Sequence, residues 1–226
     1  MNNDAIRQHR RDQSSTLLRA AVSASGTAAH LHSSRLIQGS RHGNGVALTD
    51  LADAAHYLCL LHGRHPGVID HAATRIADNA ARSWLVQTAD AFAAERSFLT
   101  QVTVAVGPLP STAGQAECEA TVNQQRHALD MLAQSDRRGC AVGAAIALVM
   151  DWAALRKVLD AAALRVGIEP KPCFLPDAAS SMAVADAIAD SDGTSRALQF
   201  GADQLLSQHR GLWDLLQARA TVRATH

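Results

Sequence analysis

The chain has 226 residues, 47% of them hydrophobic and 4% aromatic, and its 21 lysine and arginine residues equal its 21 acidic residues. A chain of this length fits one domain, and its zero net charge excludes the basic field that draws proteins to nucleic acid. Alanine and leucine, both strong helix formers, dominate it, while isoleucine and tyrosine, which favour strands, are sparse. The composition therefore predicts an all-α protein without a nucleic-acid partner.

The sequence also predicts a protein without a membrane partner. Its most apolar stretch, residues 140–150, is shorter than the roughly 18 residues that cross a bilayer. The polar N-terminal residues lack the apolar core of a secretory signal, which favours a cytoplasmic location. The cysteines form no CxxC pair and fit reduced thiols; they are Cys59, Cys118, Cys140 and Cys173.

Residues 1–46 are expected to form a flexible N-terminal arm. The first thirteen residues are polar, with Arg7, Arg10 and Arg11 close together, and a short helix is expected over residues 15–24. The glycines of residues 38–45 predict a linker, because the stretch lacks the spacing of a phosphate-binding loop. The helical bundle domain is then expected over residues 47–226.

Helices joined by short loops follow in this domain. Thr49 is expected to cap the first helix, Ser111 or Thr112 the third, and Thr194 or Ser195 the last. The helix over residues 68–105 is expected to be kinked or split. The expected helices cover residues 49–63, 68–105, 112–135, 140–166, 176–189 and 194–220. Short loops make consecutive helices antiparallel, so the predicted fold is an antiparallel helical bundle with a four-helix core and extra short helices.

Four of these helices carry one polar residue inside an apolar stripe of three-four spacing. The four residues are Glu95, Gln125, Asp151 and His209. At about 1.5 Å per residue from the connecting turns, the first three lie within about one helical turn of each other. A buried carboxylate is costly unless another group pairs with it. The pattern therefore predicts a buried polar layer or a ligand or metal site, and the height of His209 stays open.

This arrangement resembles the ferritin-like diiron bundles, in which single carboxylates alternate with Glu-x-x-His motifs on successive helices. The resemblance implies that Glu95 and Asp151 are the single carboxylates. The Glu-x-x-His positions would fall on Gln124 with His127 and on Asp53 with His56. Because Gln124 is an amide and His127 points away from the apolar seam, the resemblance implies a bundle of that shape without a working diiron centre.

A second resemblance covers most of the chain from Thr49 onward. Residues 115–145 and 204–219 are similar to an uncharacterised family of alphaproteobacterial helical proteins. This resemblance implies a bacterial source and no known activity, so it transfers no functional residue.

Two further patterns concern chemical sites. His62, His65 and His71 flank one turn, where they are either a zinc site or turn-capping histidines; zinc needs three or four converging ligands. No cysteine has an activating neighbour and no G-x-S-x-G motif occurs, so we expect no acyl-transfer chemistry.

The polar layer has three interpretations: a structural network, a pocket for a small ligand or metal, and an acid–base pair of Glu95 with Asp151. In the first, Arg96, Arg126, Arg156 or His209 neutralises the two carboxylates. The sequence favours this network, and with it a non-enzymatic protein with a binding or oligomerisation role.

Helices that are apolar nearly all round, and a C-terminal helix rich in Trp and Leu, favour a homodimer. Trp213 and Leu212 are interpreted as core residues or a dimer seam. The alternative function is a degenerate metal- or small-ligand-binding ferritin-like protein that uses Glu95, Gln125, Asp151 and His209. No residue pattern identifies a cofactor.

Overall fold

The computed structural model of the chain describes residues 3–41, 47–76 and 78–225. It describes the side chains of these residues except those of residues 3–12, 40, 41 and 80. These residues are helical and contain no strand, so the fold is all-α as the composition predicts. A 3-10 helix, Thr27–Ala29, follows the first α-helix. The α-helices are α1 (Asn3–Ser25), α2 (Leu31–Arg41), α3 (Leu48–His62), α4 (Val68–Arg75), α5 (Asn79–Ala105), α6 (Gln115–Ala133), α7 (Cys140–Arg165), α8 (Ala178–Ile188) and α9 (Asp192–Ala224).

The expected caps of three helices are wrong. α3 begins after Ala47, which offers no side-chain cap, so Thr49 lies inside the helix. α6 begins after Gly114, whose φ of 76° is left-handed and favours glycine, rather than after Ser111 or Thr112. α9 begins after Ser191, whose hydroxyl accepts a hydrogen bond from the amide of Thr194, the expected cap itself.

The expected division of residues 68–105 is confirmed, since α4 and α5 are separate helices. The carboxylate of Asp78 caps α5 by accepting a hydrogen bond from the amide of Ala81. The side chain of Asp78 therefore fixes the start of α5.

α7 is the centre of the fold. It packs against each of the other α-helices of the described residues, which explains why its first half is apolar nearly all round. The structure thus has one central helix inside a layer of others, and the four-helix core of the ferritin-like bundles stays a prediction.

α9 forms the most extensive contact with α7 and runs parallel to it. Thr194 lies against Gly139 at the start of α7, and His209 reaches Asp151 farther along. The chain can place two parallel helices together because α8 and its loops lie between them. A Cβ at Gly143 would overlap the carbonyl group of Leu198, so the two backbones touch there.

The N-terminal segment packs on this core. α1 lies along α8 and α9, α2 contacts α7 and α9, and the side chains of Leu18 and Leu36 are buried. The sequence predicts one short helix in a flexible arm here, whereas the structure has α1, the 3-10 helix and α2. The expected linker lies partly outside the described residues, as do the side chains of Arg7, Arg10 and Arg11. The domain boundary at residue 46 stays a prediction.

Two chemical expectations concern the whole fold. No helix among the described residues has both the length and the apolar character needed to span a bilayer. The four cysteine thiols are free.

Candidate functional site

Glu95 belongs to a closed ion cluster formed with Trp152, Arg156 and Asp160, which we call the Glu95 cluster. The Nη1 of Arg156 donates to both carboxylate oxygens of Glu95, at 2.8 and 3.0 Å, and the indole Nε1 of Trp152 donates to Oε2 at 2.8 Å. Arg156 also donates from Nε to Asp160 at 2.7 Å and from Nη2 to the carbonyl of Lys171. Every ionic group of this cluster therefore has a partner.

The guanidinium of Arg156 is held in its charged form. Burial alone would lower the pKa of Arg156, but the hydrogen bonds and charges of Asp160 and Glu95 raise it. Its central carbon lies 4.1 Å from the centre of the Phe98 ring, which adds a cation–π contact. The cluster joins α5, which carries Glu95, to α7, which carries Trp152 and Arg156.

The positions that the diiron resemblance singled out lie apart from Glu95 and Asp151. Asp53 accepts hydrogen bonds from Arg219 at 2.9 and 3.0 Å, and the ring of His56 is hydrogen-bonded to the carbonyl of Gly107 at 2.8 Å. The side chains of Gln124 and His127 are exposed. These residues do not assemble a metal centre with the two buried carboxylates.

Asp151 lies in a second buried network, built around the turn between α1 and α2. Its Oδ1 accepts a hydrogen bond from the amide of Thr27 at 2.7 Å, and its Oδ2 accepts from the Thr27 hydroxyl at 2.6 Å. The indole of Trp213 donates to that hydroxyl at 2.9 Å and so directs its proton to Asp151. A Cβ at Gly26 would lie 2.6 Å from Oδ1, so glycine permits this close approach.

His209 and His62 extend this network into what we call the proton chain, Asp151–His209–His62. The Nδ1 of His209 lies 2.7 Å from Oδ2 of Asp151, and its Nε2 lies 2.9 Å from the Nε2 of His62. The two imidazole rings are nearly perpendicular, at 84°. Since Asp151 receives only donors, the Nδ1 of His209 carries a hydrogen, and a further hydrogen lies between the two Nε2 atoms.

His62 is the outer end of the proton chain. Burial, and secondly the charge of His209, lower the pKa of His62 well below its usual 6.5. Its ring packs edge-on against Trp152, with centroids 5.9 Å apart. Its Nδ1 has no hydrogen-bond partner among the described residues. His62 is therefore a neutral imidazole at neutral pH.

A cavity of about 190 Å³ opens beside His62, between the end of α3, α4 and α6. Phe92 and Leu148 form part of its apolar wall. Its charged and titratable lining side chains are His62, Arg64, His65, His71, Arg126 and Asp130. We call this cavity the histidine pocket.

Arg64 and Arg126 make no ion pair or hydrogen bond with any other residue that the structure describes. Both residues also line a neighbouring cavity beside Tyr57 and Cys59. They differ in this respect from Arg156, whose charge is neutralised inside the fold.

The histidines considered as zinc ligands all line the histidine pocket. His62 already uses Nε2 in its contact with His209, and the Nε2 of His65 lies 3.7 Å from a carboxylate oxygen of Asp70. Across residues 3–41, 47–76 and 78–225, no group of three or more His, Cys, Asp or Glu residues has the arrangement of a metal site.

The structure thus divides the predicted polar layer. Asp151 and His209 are hydrogen-bonded, whereas Glu95 belongs to its own cluster. The Oε1 of Gln125 is buried without a partner in the described part of the chain, and a Cβ at Gly211 would lie 2.8 Å from its Nε2. Leu212 and Trp213 are fully buried core residues.

Sequence reasoning missed several members of the networks, among them Trp152 and Asp160 of the Glu95 cluster, and two of the other network, His62 and Thr27. His62 lies on the apolar face of its helix, a signal that was visible but was assigned to a turn-flanking metal set. Thr27 lies in a 3-10 helix with no periodic pattern around it, so no sequence signal identified it.

A family model described as a family of unknown function (DUF6975) matches residues 22–224. The match includes Thr27, both buried networks and the histidine pocket. No curated protein and no solved structure matches the chain.

Proposed function

The chain belongs to this family of unknown function, and we propose from its geometry that it binds a small anion in the histidine pocket. The observation that carries the proposal is the pair Arg64 and Arg126, two cations that line one small cavity without an ion-pair partner among the described residues. Guanidinium groups bind carboxylates and phosphates through paired, charge-assisted hydrogen bonds.

The size of the histidine pocket limits the ligand. A volume of about 190 Å³ holds about six water molecules at roughly 30 Å³ each. It is smaller than the pockets of roughly 300–1,000 Å³ that hold drug-sized ligands and cofactors. An inorganic oxyanion or a short carboxylic acid fits this space.

The described residues that line the pocket favour binding over covalent catalysis by a hydroxyl or thiol group. The residues that line the pocket include no Ser, Thr or Cys that could act as a nucleophile. The apolar side chains of Phe92 and Leu148 give the bound anion a partly dry wall, which strengthens its attraction to the two guanidinium groups.

The proposal is tested by isothermal titration calorimetry with inorganic phosphate, sulfate and acetate. Arg126→Gln should weaken binding of the anion that the wild-type protein prefers by about ten- to a hundredfold, because a hydrogen bond to a charged group contributes roughly 1.5–3 kcal/mol. Arg210→Gln, an exposed change on α9 away from the pocket, is the matched control and should bind as the wild type does. Absence of binding, or equal losses in the two variants, would refute the anion site.

Homodimerisation is a second candidate property, favoured by one feature of the surface. Met131 and Phe200, 61% and 44% exposed, line a shallow groove between α6 and α9. Exposed apolar side chains that share a groove are typical of protein interfaces. Native mass spectrometry tests the dimer, and Phe200→Ser should shift it toward monomer.

A further inference from the structure

We propose that the histidine pocket takes up its anion together with one proton, which the Asp151–His209–His62 chain holds. This inference rests on the proposed function and names the ligand class of the same site: an anion that binds with a proton. It concerns a binding equilibrium in which no bond other than an N–H bond forms.

The first step is an account of the hydrogens along the proton chain. His209 donates from Nδ1 to Asp151, so its Nε2 is either a lone pair facing His62 or the second N–H of an imidazolium. With the lone pair, His62 must donate from its own Nε2, and its Nδ1 is then unprotonated. This is the neutral state of the two rings.

Adding one proton has the same result at the outer end wherever the charge resides. If His209 becomes the imidazolium, it donates to the Nε2 of His62, and His62 carries its hydrogen on Nδ1. If His62 becomes the imidazolium, it has hydrogens on both nitrogens. In either arrangement, the Nδ1 of His62 changes from an acceptor to a donor.

The outer end belongs to the pocket in which the anion is proposed to lie. His62 lines that pocket, and Nδ1 is the ring nitrogen that has no partner in the part of the chain described. A lone pair there repels an oxyanion, and an N–H attracts it. An anion beside Arg64 and Arg126 therefore favours the protonated chain, whose added charge is compensated by Asp151 at the inner end.

Before binding, the proton is absent. Burial and the neighbouring His209 hold the pKa of His62 well below 6.5, so His62 is neutral at neutral pH; the coupling requires that its Nδ1 then carries no hydrogen. The proton must then come from solvent as the anion binds. Linkage requires that uptake of one proton weakens anion binding about tenfold for each unit rise in pH.

Other charged groups face His62 and the pocket and must be separated from this effect. α9 contributes His209, α7 contributes Asp151, and α5 contributes the uncharged Phe92. Around the pocket stand Arg64 and His65 after α3, His71 on α4, and Arg126 and Asp130 on α6. The arginines stay charged throughout, so His65 and His71 are the imidazoles to control.

The experiment is calorimetry with sulfate, whose charge is constant near neutral pH, in two buffers of different ionisation enthalpy. The difference between the two heats gives the number of protons taken up. We expect about one proton per sulfate for the wild-type protein and for the double variant His65→Gln, His71→Gln. His209→Gln, whose amide can replace both hydrogen bonds of the neutral ring, should bind sulfate with almost no proton uptake.

The outcomes separate the two proposals. Sulfate binding without proton uptake by the wild type would overturn the coupling and leave the anion site in place. Full proton uptake by His209→Gln would also overturn it, since His62 would then hold the proton without His209 and Asp151. No binding of sulfate, phosphate or acetate at neutral pH, or one pH unit above or below it, would refute the anion site and the coupling with it.

A second measurement needs no change in the buried His209. Long-range nitrogen–proton NMR spectra report which ring nitrogens of each histidine carry a hydrogen. At constant pH, sulfate should convert the Nδ1 of His62 from the unprotonated to the protonated type, while the Nδ1 of His209 stays protonated. An Nδ1 of His62 that remains unprotonated at saturating sulfate would overturn the inference.

Discussion

The Glu95 cluster and the proton chain each stabilise a buried carboxylate, Glu95 packed against α7 and Asp151 on α7 itself. Glu95 is neutralised by Arg156, a cation that does not lose its proton, and each ionic group around it has a partner. Asp151 is bonded instead to His209, whose proton can move, and the bonds continue to His62 at the wall of a cavity. A buried carboxylate alone therefore does not identify a functional site. The chemistry of its partner, and the hydrogen bonds that lead from it to a cavity, identify one.

The largest loss of stability is expected from a substitution in the Glu95 cluster. Arg156→Met leaves Glu95 buried without its cation, and we expect the free energy of unfolding to fall by about 3–5 kcal/mol. Urea denaturation followed by circular dichroism measures it. The double variant Glu95→Gln, Arg156→Met should regain part of the loss, because no uncompensated charge remains; equal stability of the two variants would contradict the closed-cluster interpretation.

A smaller loss is expected at the inner end of the proton chain. Thr27→Val keeps the shape of the side chain but removes the hydroxyl between Trp213 and Asp151, at a cost of about 2 kcal/mol. Thr88→Val is the control, since the buried Thr88 hydroxyl bonds only to the carbonyl of Trp84 in its own helix. Urea denaturation should show a clearly smaller loss in the free energy of unfolding for Thr88→Val. Equal losses would mean that the Thr27 hydroxyl does not stabilise Asp151 in the way proposed.

The pH dependence of stability sharpens the same contrast. The pKa of His62 is lowered below 6.5 in the folded protein, so below that pH the unfolded chain binds more protons. The stability is complete above pH 6.5 and is lost as the pH falls toward the folded pKa, by up to about 1.4 kcal/mol per pH unit. In urea titrations across this range, His62→Gln should reduce the slope but leave the smaller part due to His32, whose pKa burial also lowers, and Arg156→Met should keep the full slope.

The smallest effect is expected at a buried polar atom that belongs to neither network. The Tyr57 hydroxyl has no hydrogen-bond partner in the described part of the chain, and burial raises its pKa to about 12. Tyr57→Phe should leave the free energy of unfolding unchanged or raise it by up to about 1 kcal/mol. Thermal unfolding measures the change, and a loss above that size would mean that the hydroxyl is bonded in solution.

The sequence predicts the fold where burial leaves a periodic pattern. α7 was found with nearly its true bounds because its residues are apolar on all sides, and the same stripes revealed Glu95, Asp151 and His209 as polar residues in the core. The helix caps were less predictable, since several residues around each start can act as caps and tertiary packing selects among them.

The pattern of apolar stripes does not predict which buried polar residues pair with each other. Heights counted along antiparallel neighbours group Glu95 with Asp151, but hydrogen bonds join Asp151 to the parallel helix α9, whose register depends on the irregular segment around α8. Thr27 could not be found at all, because its contact is made by a turn that packs across a distance of 124 residues in the chain.

The glycines at the crossing of α7 and α9 have a consequence for the proton chain. At Gly143 and at Gly201 a methyl group would collide with the opposite backbone, so the two helices meet there as rigid rods with no side chain between them. Such a contact fixes the distance between the two helices, and His209 lies on α9 about 12 Å beyond it. Gly143 and Gly201 lie outside both the proton chain and the histidine pocket. They nevertheless set the alignment of the His209 imidazole with the Asp151 carboxylate.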